Sequence, residues 1–196
     1  MNILEDYKKY RWFYTLSKKL VVGGKSAEQN DDLLTKLKAS KKDFIIMHTA
    51  EPGSPFCVIL TDKKDVTKQD IEEAAIFTGC FSRAWRSQKK KTRVDTFDLS
   101  QLNKSSKMKI GTWCVVGNIK SLEVNLELIL TEQEGVLRAV PRKSVKRKSS
   151  ILLKIHPGKI DKQQMILNIQ NNMKNKINPN EILAALPAGG VSISKN

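Results

Sequence analysis

The sequence predicts an α+β fold: a mixed, mainly antiparallel sheet carrying two principal helices, followed by a small basic C-terminal αβ region. Three observations carry that prediction. Short runs of aromatic and β-branched residues recur between polar turns, as strands do. Two longer segments, opening at Ser26 and Thr67, place apolar residues at helical spacing behind a capping residue. At 196 residues and 40% hydrophobic, the chain is long enough to bury a core. Residues 1–135 are expected to form the main domain, and 136–196 a basic extension.

Residues 2–10 mix polar and apolar positions and predict a short helix. RWFYT and LVV, on either side of LSKK, predict a β-hairpin that Gly23-Gly24 ends. Ser26 then caps a helix whose apolar face is Leu33, Leu34 and Leu37, with Gln29 at the capping-box position. DFIIMH (43–48) and FCVILT (56–61) predict buried strands around the loop TAEPGSP. The longest helix starts at Thr67, with Asp70 in the first turn, where the dipole favours a carboxylate. Its stripe of Ile71, Ala74, Ala75, Thr78, Phe81, Ala84 and Trp85 predicts one unbroken helix to Trp85, with Trp85 in the core and Arg83 at the surface.

TRVDTFDL, GTWCVVG and LEVNLELIL then predict strands. In the last, Glu123, Asn125 and Glu127 alternate with Leu122, Val124, Leu126 and Leu128, as in a sheet with one wet face. VLRAV and SILLKIH flank a basic loop, and Pro157-Gly158 reads as a turn. Asp161, with Gln164, opens an amphipathic helix through Ile166, Ile169 and Met173. Asn178-Pro179 opens a short one that Pro187 ends.

The net charge is +15, unevenly spread. Residues 138–196 hold 12 Lys and Arg against Asp161 and Glu181, a net +10, while the first 137 residues carry only +5. That imbalance points to a polyanionic partner, nucleic acid before an anionic membrane surface. No apolar run approaches the ~18–20 residues of a membrane span, and no basic amphipathic helix with exposed aromatics suits a membrane surface. MNILEDYKKYRW lacks the apolar stretch of a signal peptide. Cys57, Cys80 and Cys114 are odd in number, far apart and set among apolar neighbours. They read as small core residues in a reducing, cytoplasmic compartment.

Catalytic motifs are weak. His48 and His156 are the only histidines and have no cysteine partners at metal spacing. Gly24-Lys25-Ser26 matches the end of a phosphate loop, yet Lys19 stands where the first glycine belongs. Asp43, Glu51, Asp95 and Asp98 could assemble a metal-dependent nuclease, though scattered carboxylates are usually surface residues. The expectation is a protein without catalytic residues, metal or cofactor.

Binding remains. Arg83, Arg86, Lys89, Lys90, Lys91 and Arg93 crowd CFSRAWRSQKKKTRV (80–94), and Arg138, Arg142, Lys143, Lys146, Arg147 and Lys148 form a second cluster. A helix dipole accounts for Arg86 and Lys89 but not for Lys91 and Arg93 beyond the helix, nor for a loop between strands. Arginine's planar fork suits phosphate and stacks on bases. Contact with ~6 phosphates would weaken binding about a thousandfold between low and moderate salt.

Read in order, YRWF (10–13), LVVGGKSAEQNDDLL (20–34), DFIIMH (43–48), PGSPFCVIL (52–60), EEAAIFTGCFSRAW (72–85) and GTWCVVG (111–117) closely resemble the RNA-binding module of the NFACT proteins. These factors bind obstructed large ribosomal subunits and tRNA in ribosome-associated quality control. EGVLRAVPRKSVKRKSSILLKIHPGKIDKQQ (134–164) resembles the region that follows the module in larger members. The family pattern falls on Arg11, Trp12, Gly24, Gln29, Asn30, His48, Gly53, Ser54, Ser82, Arg83, Ala84, Trp85 and Gly111. It implies a tight strand-to-helix turn at Gly24 and Asn30 in the first turns of that helix. His48 would end a buried strand, as a core histidine or as an RNA contact. Lys18-Lys19 replaces the family's Asp/Gly turn and is expected to add charge near Arg11.

The resemblance implies the stand-alone RNA-binding form with its following region. The family's large first domain, where residues for tail synthesis lie, has no counterpart here, so no tail-adding activity is expected. It implies non-catalytic binding of tRNA or of rRNA on the large subunit, by RNA shape more than by base edges. Arg11, Lys25, Asn30, His48 and Ser54 would contribute, with one track running from Arg83, Arg86 and Lys89–Arg93 through Lys25 and Arg11 to the Arg142–Lys148 loop. A protein partner could supply the missing domains. The rivals are an adaptor that delivers tRNA to a separate RNA-modifying enzyme, and the nuclease.

Overall fold

The structure is a computed structural model describing residues 6–147, 150–173 and 177–194. In chain order, β1 (Arg11–Tyr14) and β2 (Leu20–Gly23) precede α1 (Ala27–Ala39). Next come β3 (Ile45–Thr49), β4 (Cys57–Ile59), α2 (Lys68–Cys80) and α3 (Arg83–Arg86). β5 (Lys91–Asp98), β6 (Leu102–Asn103), β7 (Cys114–Val115), β8 (Lys120–Asn125), β9 (Leu128–Gln133) and β10 (Val136–Val140) follow. β11 (Leu153–Asp161), α4 (Lys162–Asn172), α5 (Pro179–Ala185) and β12 (Gly190–Ser194) complete the described chain. The architecture is α+β, and the strand pairings among the described residues are antiparallel.

A six-stranded sheet, in the order β1-β2-β4-β3-β5-β8, is covered on both faces. Side chains alternate across a strand, so Trp12, Val22, Ile46 and Val58 pack with Leu33, Leu34 and Leu37 of α1. Phe13, Val21, Met47 and Ile59 pack with Ala74, Ala75 and Phe77 of α2 on the other side. Burial on both faces is why LVVG and IIM read as continuous apolar runs. Each fully buried leucine contributes about 2 kcal/mol, so the α1 triplet suffices to dock that helix.

Both predicted caps form. Ser26 Oγ accepts from Gln29 N, although the Gln29 amide accepts from Lys25 N rather than closing a box on Ser26. Thr67 and Asp70 make a full capping box. The helix after it is not unbroken. Phe81 leaves helical geometry, and Ser82 caps α3 as a separate turn, its hydroxyl donating to Gly79 O at 2.7 Å and accepting from Ala84 N. A serine that bonds its own backbone competes with helix continuation, and no apolar stripe reveals that.

LEVNLELIL also divides. β8 closes the main sheet with its polar face wet, whereas β9 joins a second sheet in the order β10-β9-β11-β12. The residue-135/136 division falls in the β9–β10 hairpin turn, where Glu134 and Gly135 have positive φ. Pro157-Gly158 does not turn the chain; β11 continues to Asp161 with a bulge against β12. A Cβ on Gly158 would come within 2.4 Å of the Val191 backbone, so glycine serves close approach there.

The two sheets meet at the free edge of β1. Gln133 uses its side-chain amide as a neighbouring strand would, accepting from Tyr14 N and donating to Tyr14 O, which covers an otherwise unpaired edge. Of the predicted short N-terminal helix, Tyr7–Lys9 form a single 3-10 turn; residues 1–5 lie outside the described part. Cys57 and Cys80 are buried as expected, but Cys114 is exposed because β7 is a two-residue strand at the surface. No helix among the described residues is long and apolar enough to cross a membrane.

Candidate nucleic-acid interface

A cleft of about 690 Å³ opens where β1 begins, β2 ends and α3 starts. Its lining includes Arg11, Lys25, Asn30, His48, Ser54 and Arg86. Six residues far apart in sequence therefore share one concavity, because β1, β2 and β3 bring these ends of their strands to the same side.

The floor is built from close contacts. A Cβ on Gly24 would lie 2.2 Å from Asn30 Oδ1. Gly24 has no positive φ, so glycine is needed for space and not, as expected, for turn geometry. Asn30 is buried in the first turns of α1, and its Oδ1 accepts from Phe56 N at 3.2 Å. His48 is next to last in β3, with Nδ1–H donating to Thr49 O at 2.7 Å and its ring 4.5 Å from that of Phe56. Burial pushes its pKa down, against the pull of the Thr49 carbonyl and Asp95. A neutral ring with its proton on Nδ1 leaves Nε2 as an acceptor. Ser54 Oγ accepts from Thr49 N at 2.9 Å and holds the loop that follows.

The walls carry positive charge. Arg11 donates to Gly24 O at 2.6 Å and lies 5.4 Å over the Phe81 ring, and burial lowers its pKa. Among the described residues, Arg11, Lys25, Arg83, Arg86 and Arg138 form no ion pair. Asp95 is, among the described residues, the single carboxylate in the lining. Arg83 stands at the rim: its backbone N–H donates to Gly53 O at 2.8 Å, and its side chain covers Gly53.

The remaining predicted residues behave differently. Lys89 pairs with Glu51 at 2.8 Å, Lys91 with Glu123 at 2.9 Å, and Arg93 approaches Asp95 at 3.9 Å. Such exposed pairs add little stability in water, yet they neutralise much of the cluster. Lys90 is exposed. In the second cluster, Lys143 pairs with Glu72 at 2.8 Å, and Ser144 donates to the buried Glu73. Arg142 donates to Val145 O, Lys146 and Arg147 are exposed, and Lys148 lies outside the described residues.

That arrangement corrects the single track. Glu72 and Glu73 lie in the first half of α2, whereas Arg83–Arg93 follow its end; the seven residues from Glu73 to Cys80 rise about 10 Å along the helix. The loop lies beside the β1–β2 hairpin turn, where Ser144 and Lys146 share an opening with Thr15 and Lys18, and the cleft is at the hairpin's other end. Lys18 and Lys19 likewise lie at the hairpin turn, and Arg11 at the hairpin's open end opposite Gly23, so they add no charge beside it. The nuclease carboxylates do not converge either. Asp43 and Asp98 share Lys63, and Glu51 holds Lys89. No group of three or more His, Cys, Asp and Glu suited to a metal occurs among the described residues.

Several lining residues were not anticipated. Ile110, Trp113, Val115 and Ile119 form an apolar wall, held to α1 by Trp113 Nε1 donating to Asp31 at 2.8 Å. GTWCVVG reads as a strand, yet only Cys114 and Val115 form one, and nothing local says that the segment faces the cleft.

Residues 9–117 match the sequence model of the family described as NFACT protein RNA binding domain. The chain is 27% identical, over 96% of its length, to the archaeal Rqc2 homolog aRqcH of Methanocaldococcus jannaschii, and it spans 29% of that protein. It is also similar to the C-terminal structure of the fibronectin/fibrinogen-binding protein from Streptococcus suis. There the identity is 28% and the TM-score 0.52, covering 59% of this chain and 44% of that one. The family match takes in Arg11, Gly24, Asn30, His48, Arg83 and Arg86 and more than half of the chain: this protein belongs to the NFACT RNA-binding domain family.

Proposed function

We propose that this chain is a non-catalytic RNA-binding protein that takes tRNA or rRNA of the large ribosomal subunit, working in the cytoplasm in translation or ribosome-associated quality control. One observation carries the reading: among the described residues, Arg11, Lys25 and Arg86 converge on a cleft with Asp95 as the only acid in its lining, and Arg83 stands beside it against Gly53, without an ion pair. A concave surface of one sign attracts a polyanion. The aromatic and apolar wall beside it offers an unstacked base a surface, as single-stranded RNA segments require. Membership of the family and similarity to an Rqc2 homolog support the same reading.

The test is affinity for tRNA across a salt series, beside duplex DNA of similar charge, with wild type and an Arg83→Ala/Arg86→Ala double variant. Binding that prefers tRNA and weakens in the variant supports it. Equal, weak, salt-erased binding to both nucleic acids overturns it. The exposed Ile110 and Val116 favour a second reading, in which the module also docks a protein that uses the bound RNA; a pull-down yielding only ribosomes counts against that role.

A further inference from the structure

Arg138 belongs in sequence with the 142–148 cluster, and the fold takes it elsewhere. From β10 its side chain reaches across the seam between the two sheets, with the guanidinium 4.3 Å from the Trp12 ring centroid. There it meets Arg11 and Lys25: all three line one small opening with Phe81 and Ala185. Arg138 Nε is buried without an acceptor, and none of the three cations has an acidic partner among the described residues. The Lys25 ammonium is disfavoured by burial and then by the charges of Arg11 and Arg138, so the like charges are near enough to repel. Aromatic rings hold both guanidiniums in place, Phe81 under Arg11 and Trp12 under Arg138.

We propose that Arg11, Lys25 and Arg138 form a composite anion site for one phosphate group, with Arg138 supplied by the C-terminal sheet. The proposal rests on the RNA reading above and deepens it. A carboxylate is satisfied by one arginine fork, whereas the several oxygens and the charge of a phosphate suit three converging cations. The opening itself has room for about one water, 10 Å³, so the phosphate sits at its mouth, where it relieves the repulsion of the three cations. It comes either from within an RNA strand, as a diester, or from a strand end, as a monoester. Because Arg11 and Lys25 also line the larger cleft, the site anchors a strand at one end of it.

The experiment uses the full chain as wild type, Arg138→Gln, Arg138→Lys and Arg83→Ala/Arg86→Ala. Each is titrated with tRNA and with a short single-stranded RNA carrying either a 5′-phosphate or a 5′-hydroxyl, over a salt series. Melting temperature is followed with added orthophosphate. Arg138→Gln is expected to weaken RNA binding roughly tenfold and to lower the salt slope by about 1. Arg138→Lys keeps the slope, and orthophosphate raises the melting temperature of wild type but not of Arg138→Gln. A 5′-phosphate preference that Arg138→Gln erases identifies the monoester; equal weakening of both strands identifies the diester. Unchanged affinity and slope in Arg138→Gln, with Arg83→Ala/Arg86→Ala still impaired, overturns the site and leaves the RNA reading standing. No RNA binding, with orthophosphate stabilisation lost in Arg138→Gln, overturns the RNA reading and keeps the site. If Arg138→Gln fails to fold, Lys25→Gln, at an exposed position, carries the same readouts.

Discussion

Trp85 donates its indole N–H to the backbone carbonyl of Gly190 at 3.0 Å, across 105 residues of chain. Trp85 is fully buried in α3, so this bond ties the turn that presents Arg83 and Arg86 to the start of β12. The neighbouring contact reinforces it: a Cβ on Gly189 would lie 2.8 Å from Arg86 Cγ. The C-terminal strand thus sets the position of two arginines in the first half of the chain.

Trp85→Phe keeps most of the ring and strands the Gly190 carbonyl. It is expected to destabilise the fold by about 2 kcal/mol, read from urea denaturation. It should also weaken tRNA binding, because α3 loses its tether.

Gly24→Ala and Gly135→Ala separate two uses of glycine. The Gly24→Ala methyl would press against Asn30, breaking its bond to Phe56 N, and overpacking of this kind costs about 1–3 kcal/mol. Gly135 has open space around it but φ +68, so its replacement costs about 1 kcal/mol of backbone strain. Only Gly24→Ala should lower RNA affinity; melting temperatures alongside binding isotherms check both.

Charge that is already paired should matter less than charge that is not. Lys89→Ala/Lys91→Ala removes cations held by Glu51 and Glu123, and is expected to weaken tRNA binding less than Arg83→Ala/Arg86→Ala. An Arg142→Ala/Lys146→Ala/Arg147→Ala variant alters the loop beside the β1–β2 hairpin turn and should leave binding at the cleft nearly intact. Salt-dependent affinities of the three variants rank them.

Asp70 gives stability a pH dependence. Burial pushes its carboxyl up, but bonds from Ser17, Thr15 and Thr67 outweigh that and hold it below the usual carboxylate value. A depressed folded pKa adds stability above the unfolded value of about 3.9, and that stability is lost as pH falls through the folded value. Asp70→Asn should therefore be clearly less stable than wild type at pH 7, with the difference shrinking below about pH 4. Denaturation curves at the two pH values measure it.

The cysteines differ in reach. Cys57 and Cys80 are buried, and burial pushes the Cys57 thiol up to about 12 and Cys80 well above its usual value. Cys114 is exposed. A thiol reagent should label one cysteine per folded chain, Cys114, and all three only in denaturant.

The strands and caps were legible because their causes are local. The aromatic and β-branched runs RWFY and LVV, the Ser26 and Thr67 caps and the Leu33–Leu37 stripe act within a few residues, and each forms as read. Tertiary structure decided the rest. The break at Ser82, the division of LEVNLELIL between two sheets and the addition of β12 depend on partners far along the chain. The same holds for the site. Its residue types stand in the motifs, but sequence shows neither that Glu51 and Glu123 neutralise Lys89 and Lys91 nor that Arg138 joins Arg11 and Lys25. Local free energy chooses a helix or a strand; which charges meet depends on how the sheets dock, and that is settled by packing over the whole chain.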